Sequence, residues 1–360
     1  MLNRDRQTET SSTSRPSSTV LNRPASVAVL IALLLLLSDD PLIFGSEGAS
    51  AKLRTCGPTS PAKQPPGLIV FGDSVDLRAV VYWCGQDPTR RLCLSGYTKY
   101  YHVERPYDNC ADFHEAVRTL REPWVDMYSF VTCLPEYDSA ASSIAFVFNI
   151  YGALNLRPRD PGRIPVSAPP EMSLYNIFEH PFALLPHLLR QGSGAADSEA
   201  DGAASNGVLP TAILASSAFW DLKNSADAMS EDSYAELVSD EIGIVRQEWL
   251  AQYGKGVDDL LSIVDNLTAT WPLTLRMWRM ANMVDDEGPG WRHKANGLLL
   301  HANEAARNAT LRRRGGWGVT ELGDVELQDG YHPAEVSLIQ FLDSVLSKAR
   351  SAQSSRCNGA

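Results

Sequence analysis

The sequence predicts an α/β protein built on a single doubly wound parallel sheet. Three observations predict it. Short, unbroken apolar runs recur along the chain and end in glycine or serine. Segments with helical apolar spacing separate them. The composition is that of a folded chain, with 44% hydrophobic and 21% charged residues among 360, which excludes a disordered polyampholyte, a collagen and a polytopic membrane protein. Lys and Arg number 32 against 43 Asp and Glu, a formal charge of −11. A surface of that sign repels phosphate and argues against a general nucleic-acid binder.

The elements follow in order. Residues 1–51 are read as a basic N-terminal segment followed by a secretory signal or short signal-anchor. Arg4, Arg6, Arg15 and Arg23 precede an apolar run at 27–37, and Asp39 and Asp40 follow it. The run is shorter than the roughly 20 residues of a membrane span. Either cleavage follows Ala51, in Ala49-Ser50-Ala51, or the run stays as an anchor with the N-terminus on the cytosolic side. Residues 52–66 are Pro-rich and read as a linker.

The first strand is expected over 68–71, where Leu-Ile-Val-Phe runs into Gly72-Asp73-Ser74. A continuous run of this kind suits a strand buried on both faces. Further strands are expected over 144–148, running toward Gly152, over 211–214, over 273–277 and, more weakly, over 317–322. Helices are expected over 75–83, 174–189, 234–253, 257–267 and 295–313. A last helix is expected over 333–349, where Val336, Ile339, Leu342 and Leu346 recur at helical spacing behind Pro333. Strands alternating with helices imply a parallel sheet covered on both faces. The α/β domain spans 67–350, with a flexible acidic loop at 191–207 made mostly of Gly, Ala, Ser and acids, and a tail at 351–360.

The six cysteines are Cys56, Cys84, Cys93, Cys110, Cys133 and Cys357. An even number behind a secretory signal suggests disulfides, and six allow 15 pairings. Four fall between 84 and 133, so a stapled region is expected there. No CxxC pair appears, which argues against zinc. Asn266-Leu267-Thr268 and Asn308-Ala309-Thr310 are glycosylation acceptors in a lumenal chain.

In such a sheet the reacting groups sit beyond the carboxyl ends of the strands. Ser74 stands there, directly after the first strand. Its N–H lies at a helix start, where unpaired N–H groups hold an oxyanion. Gly-Asp-Ser is also a good turn and helix cap. The second piece is Asp329-Gly330-Tyr331-His332-Pro333, before the last helix. A serine hydroxyl needs a base, and histidine is the usual one near neutral pH. A carboxylate three residues earlier reaches its other ring nitrogen.

The pair of motifs resembles the SGNH, or GDSL-type, hydrolase superfamily, in motif order over roughly residues 67–350. The resemblance implies a flavodoxin-like three-layer α/β/α fold. It also implies Ser74 as nucleophile, His332 as general base and Asp329 as its orienting acid. Gly152 matches the glycine whose N–H helps form the family's oxyanion hole together with that of Ser74. Where the family has Gly-x-Asn-Asp after the third strand, the matching stretch is Ala218-Phe219-Trp220-Asp221. The Asn donor is absent, and the indole N–H of Trp220 is the expected substitute.

Ser74-Val75-Asp76-Leu77-Arg78 followed by Cys84 looks like the PC-esterase branch, which includes the trichome-birefringence-like polysaccharide O-acetyltransferases. That branch carries Asp-Cys-x-His-Trp-Cys near the C-terminus, where this chain reads Asp329-Gly330-Tyr331-His332-Pro333.

The expected function is a serine-dependent esterase or O-acyltransferase. Its substrate is an acyl ester of a small molecule or polysaccharide, on a carbohydrate or glycoconjugate in the secretory pathway. The alternative is an inactive glycan-binding protein on the same fold. No cofactor, metal or nucleic-acid partner is expected. His102, His114, His180, His187, His293 and His301 lack metal-ligand spacing. Arg276 and Arg279 read as surface ion-pair residues near the cleft. Trp271, Trp278, Trp291 and Tyr331 read as core or sugar-stacking rings.

Overall fold

The computed structural model describes residues 67–94, 110, 130–135, 142–148, 152–154, 210–239, 241, 243–269, 275–313 and 316–358. The expected signal segment, the linker, the helix at 174–189 and the acidic loop lie outside the described residues. Seven strands form one sheet in the order β2-β3-β4-β1-β5-β6-β7. The strands are β1 (Gly67–Gly72), β2 (Arg90–Leu94), β3 (Phe130–Pro135), β4 (Ser143–Phe148), β5 (Pro210–Ser216), β6 (Leu275–Arg279) and β7 (Trp317–Thr320). The helices are α1 (Ser74–Gly85), α2 (Phe219–Ala228), α3 (Glu231–Val238), α4 (Ile244–Leu267), α5 (Ala295–Arg312) and α6 (Glu335–Asn358).

β4, β1, β5, β6 and β7 pair in parallel. From β1 in the middle the chain crosses to the edge at β2, comes back through β3 to β4 beside β1, then builds β5, β6 and β7 on the other side. This is the doubly wound order, and its switch point lies between β1 and β5. The two strands that the apolar-run criterion missed, β2 and β3, extend the β4 edge. β3 runs antiparallel to both of its neighbours, so the sheet is mostly rather than wholly parallel. Arg90 and Arg91 open β2, and Thr132 interrupts β3, so neither is an unbroken apolar run.

Successive side chains of β1 alternate between two cores, as strand geometry requires. Ile69 and Phe71 join the cluster under α2, α4 and α5, with Trp249, Leu260 and Leu298. Leu68 and Val70 join the cluster under α1 and α6, with Leu77, Leu342 and Leu346. Three layers result.

Two helix expectations are corrected. Residues 234–267 do not break at Gly254 and Gly256. They break between α3 and α4: Ser239 turns extended after the first, and Gly243 caps the second. Glycine is required at 256 because α4 lies against the loop after β4: a Cβ there would sit 2.3 Å from the Ala153 carbonyl oxygen. The C-terminal segment is not a tail at 351, because α6 continues to Asn358.

Two disulfides lie in the predicted stapled region. Cys84 of α1 bonds Cys133 of β3, and Cys93 of β2 bonds Cys110. Bonds of this kind form and persist in oxidising compartments. Among the described residues no helix is long and apolar enough to cross a membrane.

Candidate active site

The turn after β1 is built by charge. Asp73 caps α1, its Oδ1 accepting the Val75 N–H at 2.9 Å, while the Asp76 carboxylate accepts the Asp73 N–H at 3.2 Å. This reciprocal cap fixes Ser74 as the first residue of the helix. A Cβ on Gly72 would fall 2.1 Å from Asp76 Oδ2, so only glycine lets the strand end this close.

Arg279, at the end of β6, was expected at the surface. It is instead fully buried beneath the turn. Its Nε donates to Asp76 Oδ1 at 2.6 Å, and its Nη2 donates to both Asp73 oxygens at 2.8 Å. A further bond from Nη2 reaches Ser216 Oγ on β5 at 3.3 Å. A buried guanidinium needs such partners, and here they join the ends of three strands. Two carboxylates share one cation. Burial pushes Asp73 up to about 6, with Arg279 opposing and Asp76 adding to the rise.

The loop before α6 supplies the partners of Ser74. The Leu327–Pro333 bridge closes it, and Gly330 turns it at φ +86°. His332 donates its backbone N–H to Asp329 Oδ1 at 2.9 Å. Its ring Nδ1 is 2.8 Å from Asp329 Oδ2, and its Nε2 is 2.8 Å from Ser74 Oγ. An ionised carboxylate only accepts, so Nδ1 carries the proton and Nε2 accepts from the serine hydroxyl.

His332 is 1% exposed. Burial, with the charges of Arg78 and Arg279, pushes its ring down to about 4 against the pull of Asp329. Burial alone would raise Asp329. The hydrogen bonds from the His332 ring and backbone, then the charges of His332 and Arg78, outweigh it and hold the acid at about 2. Tyr331 packs on the His332 ring at 3.7 Å between centroids, and Trp291 meets Tyr331 edge-on at 5.7 Å.

The loops after β4 and β5 are tied together by Asp221, a fully buried carboxylate. It accepts the N–H of Leu154 at 2.7 Å, the N–H of Ala218 at 3.1 Å and the hydroxyl of Ser217. Ser217 in turn accepts the Ala153 N–H at 2.9 Å. Burial raises the Asp221 carboxyl, and these donors oppose the rise. Gly152 has φ +67°, and a Cβ on it would lie 2.4 Å from Asp221 Oδ1. Ala218, at the position where the resembled family has glycine, adopts φ 111°. That conformation is costly for any residue with a Cβ.

Trp220 is half-buried against the cluster under α1 and α6, with the Lys223 ammonium 5.7 Å from its ring centroid. Trp278 is core, and Arg276 pairs with Asp265 at 3.5 Å. His293 is exposed and His301 faces Glu304 at 4.0 Å. His102, His114, His180, His187 and Trp271 lie outside the described residues. Among the described residues no three His, Cys, Asp or Glu side chains group as a metal site would require.

Residue typing missed Asp76, Asp221 and the buried role of Arg279. A signal existed for the first two: Asp76 stands at the third helical position after a capping Asp, and Asp221 stands three residues after the turn that ends β5. An arginine closing an apolar strand carries no comparable sign.

No protein-family model matches the chain, and no curated protein matches it. Among solved structures, one similar to it is a carbohydrate esterase family 2 enzyme plus carbohydrate binding domain from Corynascus thermopiles (Myceliophthora fergusii). The two are 14% identical over 80% of this chain and 67% of that one, with a TM-score of 0.36, a similarity too distant to argue from.

Proposed function

We propose that the protein is a serine-dependent esterase or O-acyltransferase. The observation that carries this reading is the hydrogen-bonded run from Ser74 Oγ through His332 to Asp329, each side-chain step 2.8 Å. Neutral His332 takes the hydroxyl proton as Ser74 Oγ attacks an acyl carbonyl. The ionised Asp329 stabilises the imidazolium that forms. The N–H groups of Ser74 and Gly152 are the backbone donors for the oxyanion, and the indole of Trp220 is the side-chain candidate in place of an Asn. Collapse of the tetrahedral adduct expels the alcohol, which takes the proton from His332, and leaves an acyl-serine. Water completes a hydrolysis; a sugar hydroxyl completes a transfer.

The substrate we propose is an O-acylated carbohydrate or glycoconjugate, met in the secretory pathway or outside the cell. Two disulfides favour an oxidising compartment. The motif order, from Gly72-Asp73-Ser74 to Asp329-Gly330-Tyr331-His332, resembles the SGNH hydrolases, with the PC-esterase branch as the nearer arm.

A fluorophosphonate probe tests the chemistry without knowledge of the substrate. Protein made in a secretory host should label, and Ser74→Ala should not label at all. Folded wild-type protein that stays unlabelled would overturn the reading. It would favour the inactive glycan-binding alternative, which the Trp220 substitution already suggests.

A further inference from the structure

We propose that Arg78 is a positioning residue that holds Asp329 in register with His332. The inference rests on the serine-hydrolase reading above and adds a fourth member to its hydrogen-bonded run. Arg78 follows Ser74 by four residues on α1, one helical turn, so both side chains leave the same face. Ser74 Oγ meets His332 Nε2, and Arg78 Nη2 meets Asp329 Oδ2 at 3.1 Å. That oxygen is the one that accepts the His332 ring proton. α1 therefore grips the catalytic loop at both ends, through the base and through the acid behind it.

The position of Asp329 explains why a grip is needed. Its side chain is 37% exposed, whereas the His332 side chain is 1% exposed. An acid this open to water is a loose partner for a buried imidazole unless other groups fix its rotamer. Its Oδ1 accepts from the backbone N–H of His332. Its Oδ2 has the ring N–H and Arg78. On the far side, Arg292 Nη1 donates to the Asp329 carbonyl at 2.8 Å and fills the space a Cβ on Gly330 would take. Among the described residues Arg78 is the one cation in ion-pair range of the Asp329 carboxylate other than His332 itself.

The charged and titratable groups around His332 come from several elements. Asp329 and Tyr331 lie on its own loop, Arg78 on α1 and Arg279 at the end of β6. Asp73 and Arg292 stand beyond Tyr331. Removing Arg78 takes one positive charge away from the imidazole and leaves the Asp329 charge less neutralised. Both changes favour the imidazolium, so the His332 pKa rises.

The test is the pH profile of fluorophosphonate labelling for wild type, Arg78→Met and Arg78→Lys, beside a proton NMR titration of the His332 ring. In Arg78→Met the acid midpoint of labelling should move up by about one pH unit, and the plateau rate should fall several-fold. Arg78→Lys should restore the midpoint. Arg312→Met, which breaks an ion pair with Asp258 between α4 and α5, should leave both unchanged. A folded Arg78→Met protein with an unmoved midpoint, an unmoved His332 titration and an unchanged plateau rate would overturn the inference. Should wild type fail to label while the NMR titration still moves, the Arg78 inference stands and the serine-hydrolase reading falls.

Discussion

At the scale of single residues, the site is held by buried charges rather than by apolar fit. Asp221 ties the loop after β4 to the turn after β5, and Arg279 ties the turn that carries Ser74 to β5 and β6. Gly152 is where the first of these ties leaves no room. Gly152→Ala would place a methyl group 2.4 Å from the Asp221 carboxylate in a backbone at φ +67°. The left-handed conformation alone costs about 1 kcal/mol for alanine, and the displaced carboxylate would strain its own hydrogen bonds. Unfolding in urea should show a loss of about 2–4 kcal/mol, together with slowed labelling of Ser74. A fully stable variant would mean that the loop is looser than its contacts indicate. That Ser74, His332 and Asp329 come together was legible because each stands in a short motif at a strand or helix end. Arg279 was not: its role depends on which strand lies beside β5, and a sequence does not state strand order.

At the scale of elements, α1 bears most on the site. It packs on α6, starts with Ser74, carries Arg78 and ends near Cys84, whose disulfide to β3 fixes it to the antiparallel edge. The Cys84–Cys133 bond closes 49 residues and Cys93–Cys110 closes 17. Loop-closure entropy therefore gives the first about 4 kcal/mol and the second about 3 kcal/mol. The double variant Cys84→Ala, Cys133→Ala should lower the urea midpoint more than Cys93→Ala, Cys110→Ala does. The reverse order would show that the second bond secures structure beyond its own loop. The parallel strands were legible from apolar runs because both of their faces are covered. β2 and β3 were hidden because arginines and a threonine break their runs. The helix at 244–267 was mis-split because a glycine in a helix reads as a break, while here Gly256 marks a close approach.

At the scale of the whole molecule, pH acts on the fold through two buried groups of opposite sign, and one of them, His332, also carries the proposed chemistry. The folded pKa of His332 is depressed from 6.5 to about 4. Its contribution to stability is whole above pH 6.5, declines as the unfolded chain takes up a proton there, and is lost as pH falls through about 4. Asp73 is raised from 3.8 to about 6, so its contribution is whole below 3.8 and lost as pH rises through about 6. Between pH 4 and 6 the two act in opposite directions, so a wild-type melting curve does not separate them. The variant His332→Gln separates them, because it removes only the first. Its stability relative to wild type should rise as pH falls from 7 to 4, by about 3 kcal/mol if the full shift is realised. Urea midpoints of the two proteins, taken at each pH, read this difference directly. A difference that stays flat over that range would mean that His332 titrates near its ordinary value in the folded protein. Wild-type labelling would then fail near pH 6.5 instead of holding down to about 4.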